Sequence, residues 1–433
     1  MLGATDTIFA VASGAGRAAV TLLRLSGPAS GPLLDRLCRP RPTPRKASLR
    51  ALRGADGEVL DRALVLWLPG PGSYTGEDSA ELHVHGGRAV LDGVTEALVA
   101  AGARPAEAGE FSRRAFLNGK LDLLAAEAVA DLVAAETQAQ RRQALRQLGG
   151  ALGAVYRGWT ERLTRLLAQQ EALIDFPDED LPPETEATML REMAAIRHEI
   201  GAHLDDGRRG ERLREGLVIA VTGAPNVGKS TLINALAGRD VAIVSPHAGT
   251  TRDVLEARTV IAGVPVTLLD TAGLRETDDP VEAEGVRRAR VRAAAADIVL
   301  ALHDGGGPAL SDASSGAPCL VVATKADLGV AADDADLSVS AVTGLGMGAL
   351  TARLARDVRR LADDAGPPAL TRARHRAGLA EAARELDRAA AAGLPELRGE
   401  ALRAALRGIG RVSGRVGTED VLDAVFSQFC IGK

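Results

Sequence analysis

The chain has 433 residues, 46% of them apolar and only 2% aromatic, with a formal net charge of −5. That length exceeds one ordinary hydrophobic core, so two or three domains are expected, and the acidic balance excludes general electrostatic steering toward nucleic acid while leaving local contacts open. Three widely spaced cysteines, Cys38, Cys319 and Cys430, fit a reducing, cytoplasmic setting and offer no metal-ligand spacing.

Residues 1–117 carry short β-type runs, AAVTLLRLSG, RALVLWLPG and AELHVHGG, punctuated by Gly and Pro, and AVLDGVTEALVAAG then reads as a helix. A compact α+β domain is expected there. Within it, Arg39, Arg41, Arg45, Lys46, Arg50 and Arg53 form a basic cluster with prolines between. The cluster reads as a solvated loop or strand face, with an RNA patch as the alternative. His83 and His85 alternate on a strand, but no third residue sits at metal-ligand spacing. From Leu121 the apolar residues Leu124, Ala125, Ala128, Val129 and Leu132 recur at helical spacing, and AVYRGWTERLTRLLAQQEALID continues the pattern. FPDEDLPPE interrupts it, and another helix is expected over Glu186 to Leu204.

DDGRRGERLREG connects to LVIAVT, an apolar run expected as a buried strand. To about Leu361, VPVTLLD, ADIVLAL and PCLVVAT then alternate with helical or irregular stretches, the order of a mainly parallel sheet. After GPP at 366–368 the chain turns helical again, through AGLAEAARELDRAAAA and PELRGEALRAALRGI to EDVLDAVFSQF. The fold class is therefore multidomain, α+β and α/β. An N-terminal α+β domain (1–117) precedes a helical domain (118–214 and 366–433) into which an α/β domain (215–365) is inserted. Two separate helical domains would give the same sequence pattern. No run approaches ~18 apolar residues, and the opening MLGATDTIFAVAS lacks a basic segment ahead of a long apolar core, so neither membrane spanning nor secretion is expected.

The most informative stretch is GAPNVGKS, Gly223 to Ser230, between the strand LVIAVT and the helix TLINALAG that Thr231 opens. Strand, glycine-bearing loop and helix N-terminus make a phosphate cradle. The N–H groups of Asn226, Val227 and Gly228 and the Lys229 ammonium would meet the β and γ phosphates, and the Ser230 hydroxyl would ligate magnesium. Four further pieces follow in order. In GTTRD, Thr250 borders the nucleotide and Thr251 can complete the magnesium shell. Asp270 ends a strand and begins DTAG; its carboxylate would hold magnesium through water, and Thr271 and Ala272 lead to the Gly273 N–H that can meet the γ phosphate. In TKAD, with Thr324 and Lys325, the Asp327 carboxylate can accept from guanine N1 and the N2 amine, a donor pair adenine lacks, which argues for GTP. Ser340 and Ala341 can bring a backbone N–H near the guanine carbonyl.

Two positions depart from the common guanine-nucleotide pattern. Thr324 stands where asparagine is usual, and a hydroxyl makes one donor bond where an amide makes two. Losing a buried polar contact costs roughly 1–3 kcal/mol; a satisfied strand-end threonine with GTP binding intact is the expected outcome. Leu274 follows DTAG where a water-orienting glutamine is common, so another group must orient the attacking water. Glu282 in TDDPVEAEG is the candidate, with a structural helix glutamate as the alternative. Asn226, with carbonyls of the 245–250 loop, could hold a monovalent cation near the β–γ bridge and neutralise developing charge there.

GAPNVGKS, AGTTRD, DTAGLRET and FCIGK, together with DTIFAVAS, LLRLSG, GPGSYTGED, HVHGG and GEFSRRAFLNGKLDLLAAEAVADLV, closely resemble the MnmE (TrmE) family of bacterial tRNA-modification GTPases over essentially the whole chain. The resemblance implies a homodimer joined through folate-binding N-terminal domains, with the P-loop GTPase domain inserted into the helical one. It implies potassium-stimulated GTP hydrolysis and an FAD-dependent MnmG/GidA-type partner. With that partner, wobble uridine of certain tRNAs gains a 5-aminomethyl or 5-carboxymethylaminomethyl group, its methylene derived from a 5-formyl- or 5,10-methylene-tetrahydrofolate.

Matched by position, potassium falls to Asn226 and to backbone groups around Ser245, His247 and Thr250, with Ser245 also lining the GTP site. Magnesium falls to Ser230 and Thr251, and the hydrolytic water to Glu282. The folate site falls to Arg24, Glu81 and Lys120, closed by Lys433. Cys430 is a candidate nucleophile or redox residue, with a packing or folate-site cysteine as the alternative. A regulatory or ribosome-assembly GTPase without group transfer, and a scaffold with degenerate nucleotide binding, are the competing readings.

Overall fold

The computed structural model describes residues 6–14, 16–175, 184–238, 256–270, 294–305, 317–329, 334–362, 368–414, 419–427, 429 and 432. The chain divides into two compact units. The first is Met1–Ala130 with Leu148–Tyr156 and Ile409–Lys433, and the second is Asp131–Gln147 with Arg157–Gly408.

The first unit is built on a six-stranded sheet, β1 (Ile8–Val11), β2 (Ala18–Ser26), β3 (Ser48–Arg53), β4 (Val59–Leu68), β5 (Ser79–Gly86) and β6 (Arg104–Pro105), in the order β3-β4-β5-β2-β1-β6. The β1–β6 pair is parallel and the other pairs are antiparallel. Side chains alternate between faces along a strand. Leu23 and Leu25 of β2, Val65 of β4 and Leu82 and Val84 of β5 point to one face, which α1 (Ser30–Leu37) and α2 (Arg88–Ala100) cover with Leu33, Leu34, Val94 and Leu98. The same alternation turns Arg24 of β2 and Glu81 of β5 to the opposite face, where they are direct cross-strand partners. On that face α3 (Glu110–Leu117) packs Phe111 against Ile8 and Ala10 of β1.

Helix α4 (Leu123–Ala134) follows, then α5 (Gln138–Leu148), α6 (Ala151–Asp175) and α7 (Glu184–Leu204), the last starting two residues before the sequence suggested. A short α8 (Arg209–Glu215) leads into the α/β part of the second unit. There β7 (Leu217–Gly223), α9 (Lys229–Ala237), β8 (Glu256–Ile261), β9 (Val264–Asp270), β10 (Ile298–His303), β11 (Cys319–Ala323) and β12 (Leu337–Ser338) form a sheet ordered β12-β11-β10-β7-β9-β8. All its pairs are parallel except β8–β9. The apolar runs of β7, β9 and β10 are buried on both sides, as parallel strands under helices require. The amphipathic α10 (Met347–Ala362) buries Met347, Leu350, Leu354 and Val358 in this core.

Strand β8 is an addition to the sequence reading. It turns into β9 through Ala262 and Gly263, both at positive φ (53° and 82°), a two-residue hairpin of the primed type. Glu256 on this edge is exposed, and a charged edge blunts further pairing.

Arginine–carboxylate contacts fasten the segments through which the chain passes into and out of this α/β part. Arg212 of α8 donates to Asp297 (2.8 Å), whose other oxygen accepts the Val218 N–H at the start of β7 (3.0 Å). Arg376 of α11 (Ala373–Ala391) donates to Asp206 (2.7 Å), Glu211 (3.1 Å) and the Leu204 carbonyl. Both carboxylates are almost fully buried. Helix α12 (Pro395–Ser413) follows. Then α13 (Glu419–Phe426) returns to the first unit, where Leu422, Val425, Phe426 and Phe429 close over Phe116, Leu123 and Ala126.

Candidate functional site

The phosphate-loop sequence lies at the C-terminal end of β7, between β10 and β9, where the strand order reverses and open α/β sheets bind ligands. Gly223 is at φ +144°, and a Cβ there would come 2.5 Å from the Leu302 carbonyl oxygen, so the tight departure from the sheet demands glycine. Asn226 (φ 62°) and Gly228 (φ 100°) both take left-handed backbone, which curls the loop so that successive N–H groups converge. Lys229 is 4% exposed, and its ammonium folds over the loop to donate to the carbonyls of Gly223 (2.9 Å) and Ala224 (2.7 Å). Ser230 donates its hydroxyl proton to Asp270 Oδ2 at 2.8 Å, so the helix N-terminus and the end of β9 meet. Thr231 lies exposed in the first turn of α9.

Thr324, Lys325, Asp327, Ser340 and Ala341, the residues expected on the base side, gather at the ends of β11 and β12. Thr324 is 5% exposed; its hydroxyl donates to the Val227 carbonyl at 2.6 Å, with the His303 carbonyl at 3.2 Å. Val227 of the phosphate loop and Thr324 at the end of β11 are thus joined directly, and the expectation of a satisfied strand-end threonine is met. Lys325 sits at φ 56° and pairs with Asp304 at 2.7 Å. Asp327 is exposed on a single 3-10 turn that the Ala326 N–H anchors to the Val339 carbonyl. Ser340, 1% exposed, accepts the Thr343 N–H, which shapes the turn carrying Ala341. Ser245, His247, Thr250, Thr251, Thr271, Ala272, Gly273, Leu274, Glu282, Cys430 and Lys433 lie outside the described residues.

In the first unit, Arg24 donates to Glu81 Oε1 through Nε (3.3 Å) and Nη2 (3.0 Å), and its guanidinium lies 5.6 Å from the centre of the Tyr74 ring. His83 Nε2 is 3.7 Å from the other Glu81 oxygen and is buried without a hydrogen-bond partner. Lys120 donates to the Pro71 carbonyl (3.1 Å) and Asn118 to the Thr75 carbonyl (2.7 Å), so both reach the loop that carries Tyr74. Gly432 presses on β1, where a Cβ would come 2.4 Å from the Val11 carbonyl oxygen. Val11 adjoins Ala10, the cross-strand partner of Arg24.

Sequence reasoning missed the knot beneath this site. Arg114 donates to Asp6 (2.7 Å), Glu110 (2.9 Å) and Glu77 (3.3 Å), and Arg104 holds Glu110 from the other side (2.6 Å). Burial tends to raise the carboxyl pKa values of Asp6 and Glu110, but the hydrogen bonds from Arg104 and Arg114 outweigh it and hold both below the ordinary range. The only local signal is the four-residue spacing of Glu110 and Arg114 on α3. The basic cluster at 39–53 braces its own loops. Arg39 donates to the Asp35 carbonyl, Arg45 to that of Gly72, Arg50 to that of Pro40 and Arg53 to that of Gly57. Arg41 pairs with Asp35 and stacks 5.0 Å from the centre of Trp67. His85 pairs with Asp61 (2.8 Å), and no group of three metal-ligating side chains occurs among the described residues. No helix among them is long and apolar enough to cross a membrane.

Loop, helix N-terminus and paired Ser230–Asp270 define the class: a P-loop nucleotide-binding domain carried by a larger chain. A family model described as the GTP-binding protein TrmE N-terminus matches residues 7–120, and one described as the MnmE helical domain matches residues 123–430. The chain belongs to the MnmE family. Proteins called tRNA modification GTPase MnmE are similar to it along their full length. The one from Gluconacetobacter diazotrophicus is 58% identical over 431 residues, covering 98% of each chain. Those from Granulibacter bethesdensis and Rhodospirillum rubrum are 54% and 55% identical, each with 99% of both chains covered.

Proposed function

We propose that this protein hydrolyses GTP to drive modification of wobble uridine in certain tRNAs, acting in the cytoplasm as a homodimer with an FAD-dependent MnmG/GidA-type partner. The observation that carries hydrolysis is the Ser230–Asp270 contact at the mouth of the phosphate loop. A hydroxyl and a carboxylate in contact are the hard oxygen donors that suit magnesium, with Thr251 as the further ligand. Bound there by Ser230, Asp270 and Thr251, magnesium would supply charge neutralisation to the phosphate oxygens. Lys229 is already over the loop, so its ammonium exchanges two backbone carbonyls for phosphate oxygens without a long excursion. Asp327 accepts from the guanine N1 and N2 protons, and the Ala341 N–H beside Ser340 meets the guanine oxygen.

Asn226 and backbone groups around Ser245, His247 and Thr250 would hold potassium, which would supply positive charge to offset the charge that develops on the phosphates. Glu282 orients the attacking water. The domain limits that accompany this reading are 1–117 for folate binding and dimerisation, 215–365 for GTP hydrolysis, and 118–214 with 366–433 for the helical domain.

The group-transfer half rests on Arg24, Glu81 and Lys120, with Lys433 as a closing residue. The orphaned His83 Nε2 beside Glu81 and the Tyr74 ring under Arg24 fit a flat, polar heterocycle bearing hydrogen-bonding edges. A reduced folate supplies the one-carbon unit. Glu81 would accept from an amino-pyrimidine edge while Arg24 and Lys120 would balance anionic parts of the ligand. A regulatory GTPase without group transfer has no use for this cluster. Nucleoside mass spectrometry of tRNA from cells lacking the protein tests the proposal. Loss of the C5 group at wobble uridine, restored by the wild-type gene, is expected; unchanged modification refutes it.

A further inference from the structure

We infer that Thr324 makes base recognition in this chain indifferent to the purine N7 acceptor, an inference that rests on reading residues 324–341 as the guanine site. A threonine hydroxyl has one proton. In Thr324 both oxygens facing it are backbone carbonyls, Val227 O at 2.6 Å and His303 O at 3.2 Å, which can only accept. The proton is therefore committed to the phosphate-loop carbonyl, and what remains on the hydroxyl oxygen is lone pairs. The Thr324 N–H is spent too, on His303 O at 2.8 Å.

The other polar groups of the segment do not replace it. Asp327 can only accept, which suits the N1 and N2 protons. Lys325, the one cation of TKAD, is held by Asp304 at 2.7 Å. The Ala341 N–H is assigned to the guanine oxygen. N7 is the acceptor left over on the O6 edge of the base, and the Thr324 hydroxyl has no second proton to offer it. An asparagine amide at 324 would carry two protons, one for Val227 and one to spare. This chain keeps the tie between base loop and phosphate loop and gives up the N7 donor. Thr324 is thereby a specificity-determining residue as well as a positioning one.

The probe is 7-deaza-GTP, in which C–H replaces N7, compared with GTP by calorimetric titration of the full chain. Wild-type protein is expected to bind the two within about twofold. Thr324→Asn is expected to tighten GTP by about three- to tenfold, one net hydrogen bond, and to leave 7-deaza-GTP where it was, so that discrimination appears only in the variant. Thr324→Ser keeps the single proton and the wild-type ratio. Thr324→Val removes the tie and weakens both nucleotides alike. A wild-type preference for GTP of fivefold or more overturns the inference, and that measurement needs no variant. Failure to bind either guanine nucleotide, or equal binding of ATP, overturns the guanine-site reading itself and the inference with it. That pattern differs from a discriminating wild type.

Discussion

Replacing Arg114 with Met tests how far the first unit depends on its buried charge knot. The methionine fills much of the same space but abandons hydrogen bonds to Asp6 (2.7 Å), Glu110 (2.9 Å) and the Asp6 carbonyl (3.0 Å), and the longer contact to Glu77 (3.3 Å). Removing one partner of a buried ion pair costs about 3–5 kcal/mol, because the charge left behind is uncompensated. Here Glu110 keeps Arg104 at 2.6 Å and Glu77 keeps the Ser26 hydroxyl at 2.7 Å, so the low end, about 3 kcal/mol, is expected. The chain has two tryptophans, Trp67 in the first unit and Trp159 in the second. In a Trp159→Phe background, fluorescence during urea unfolding follows the first unit alone. With a slope of about 1–3 kcal/mol per molar, the midpoint should fall by about 1–3 M. Adding Glu110→Gln should cost less than its effect in the wild type, since the two side chains share one contact. Asp6 and Glu110 titrate lower when folded, so the unfolded chain binds more protons through the acid range. Their stabilisation is full above about pH 5 and is lost as pH falls below it, and the Met variant should lose less on acidification. A midpoint shift below about 0.3 M, or an acid response identical to wild type, refutes the argument.

Three further outcomes are expected in nucleotide assays. Asp327→Asn should weaken GTP by roughly 5- to 150-fold, the cost of one buried polar contact, and gain affinity for xanthosine triphosphate, whose 2-oxo group accepts from the new amide; calorimetry of both nucleotides decides it. Phosphate release should be at least about tenfold faster in potassium than in sodium at equal ionic strength, and equal rates would remove the cation from the site. Glu282→Ala should slow turnover by about a hundredfold or more with GTP affinity nearly unchanged, and undiminished turnover takes that glutamate off the catalytic path.

What the sequence made legible is what local chemistry determines. Gly223 and Gly228 stand at positive φ where spacing alone placed a phosphate cradle, and the strand runs fell where alternation or continuous apolarity put them. Arg24 and Glu81 could be matched to a family position, but their pairing follows from the register of β2 on β5, which spans 57 residues of sequence. Asp6 and Arg114 are 108 residues apart, so nothing near either one announced the knot. The fate of the Thr324 proton was likewise invisible, because Val227 and His303 reach it only once β10 and β11 are paired. Strand β8 escaped notice because EARTVI mixes charged and apolar residues, as an edge strand does when its outward positions meet water.

The return of α13 to the first unit ties two stretches of chain made far apart in time. Phe116 and Leu123 are synthesised early, whereas Leu422, Phe426 and Phe429, which cover them, come about three hundred residues later. At about 5–20 residues per second that gap lasts roughly 15–60 s. Throughout it, the nascent first unit shows an apolar patch that its own chain will eventually seal. A chain arrested on the ribosome within the α/β segment is therefore expected to hold a first unit whose Phe116 and Leu123 still lack their covering side chains.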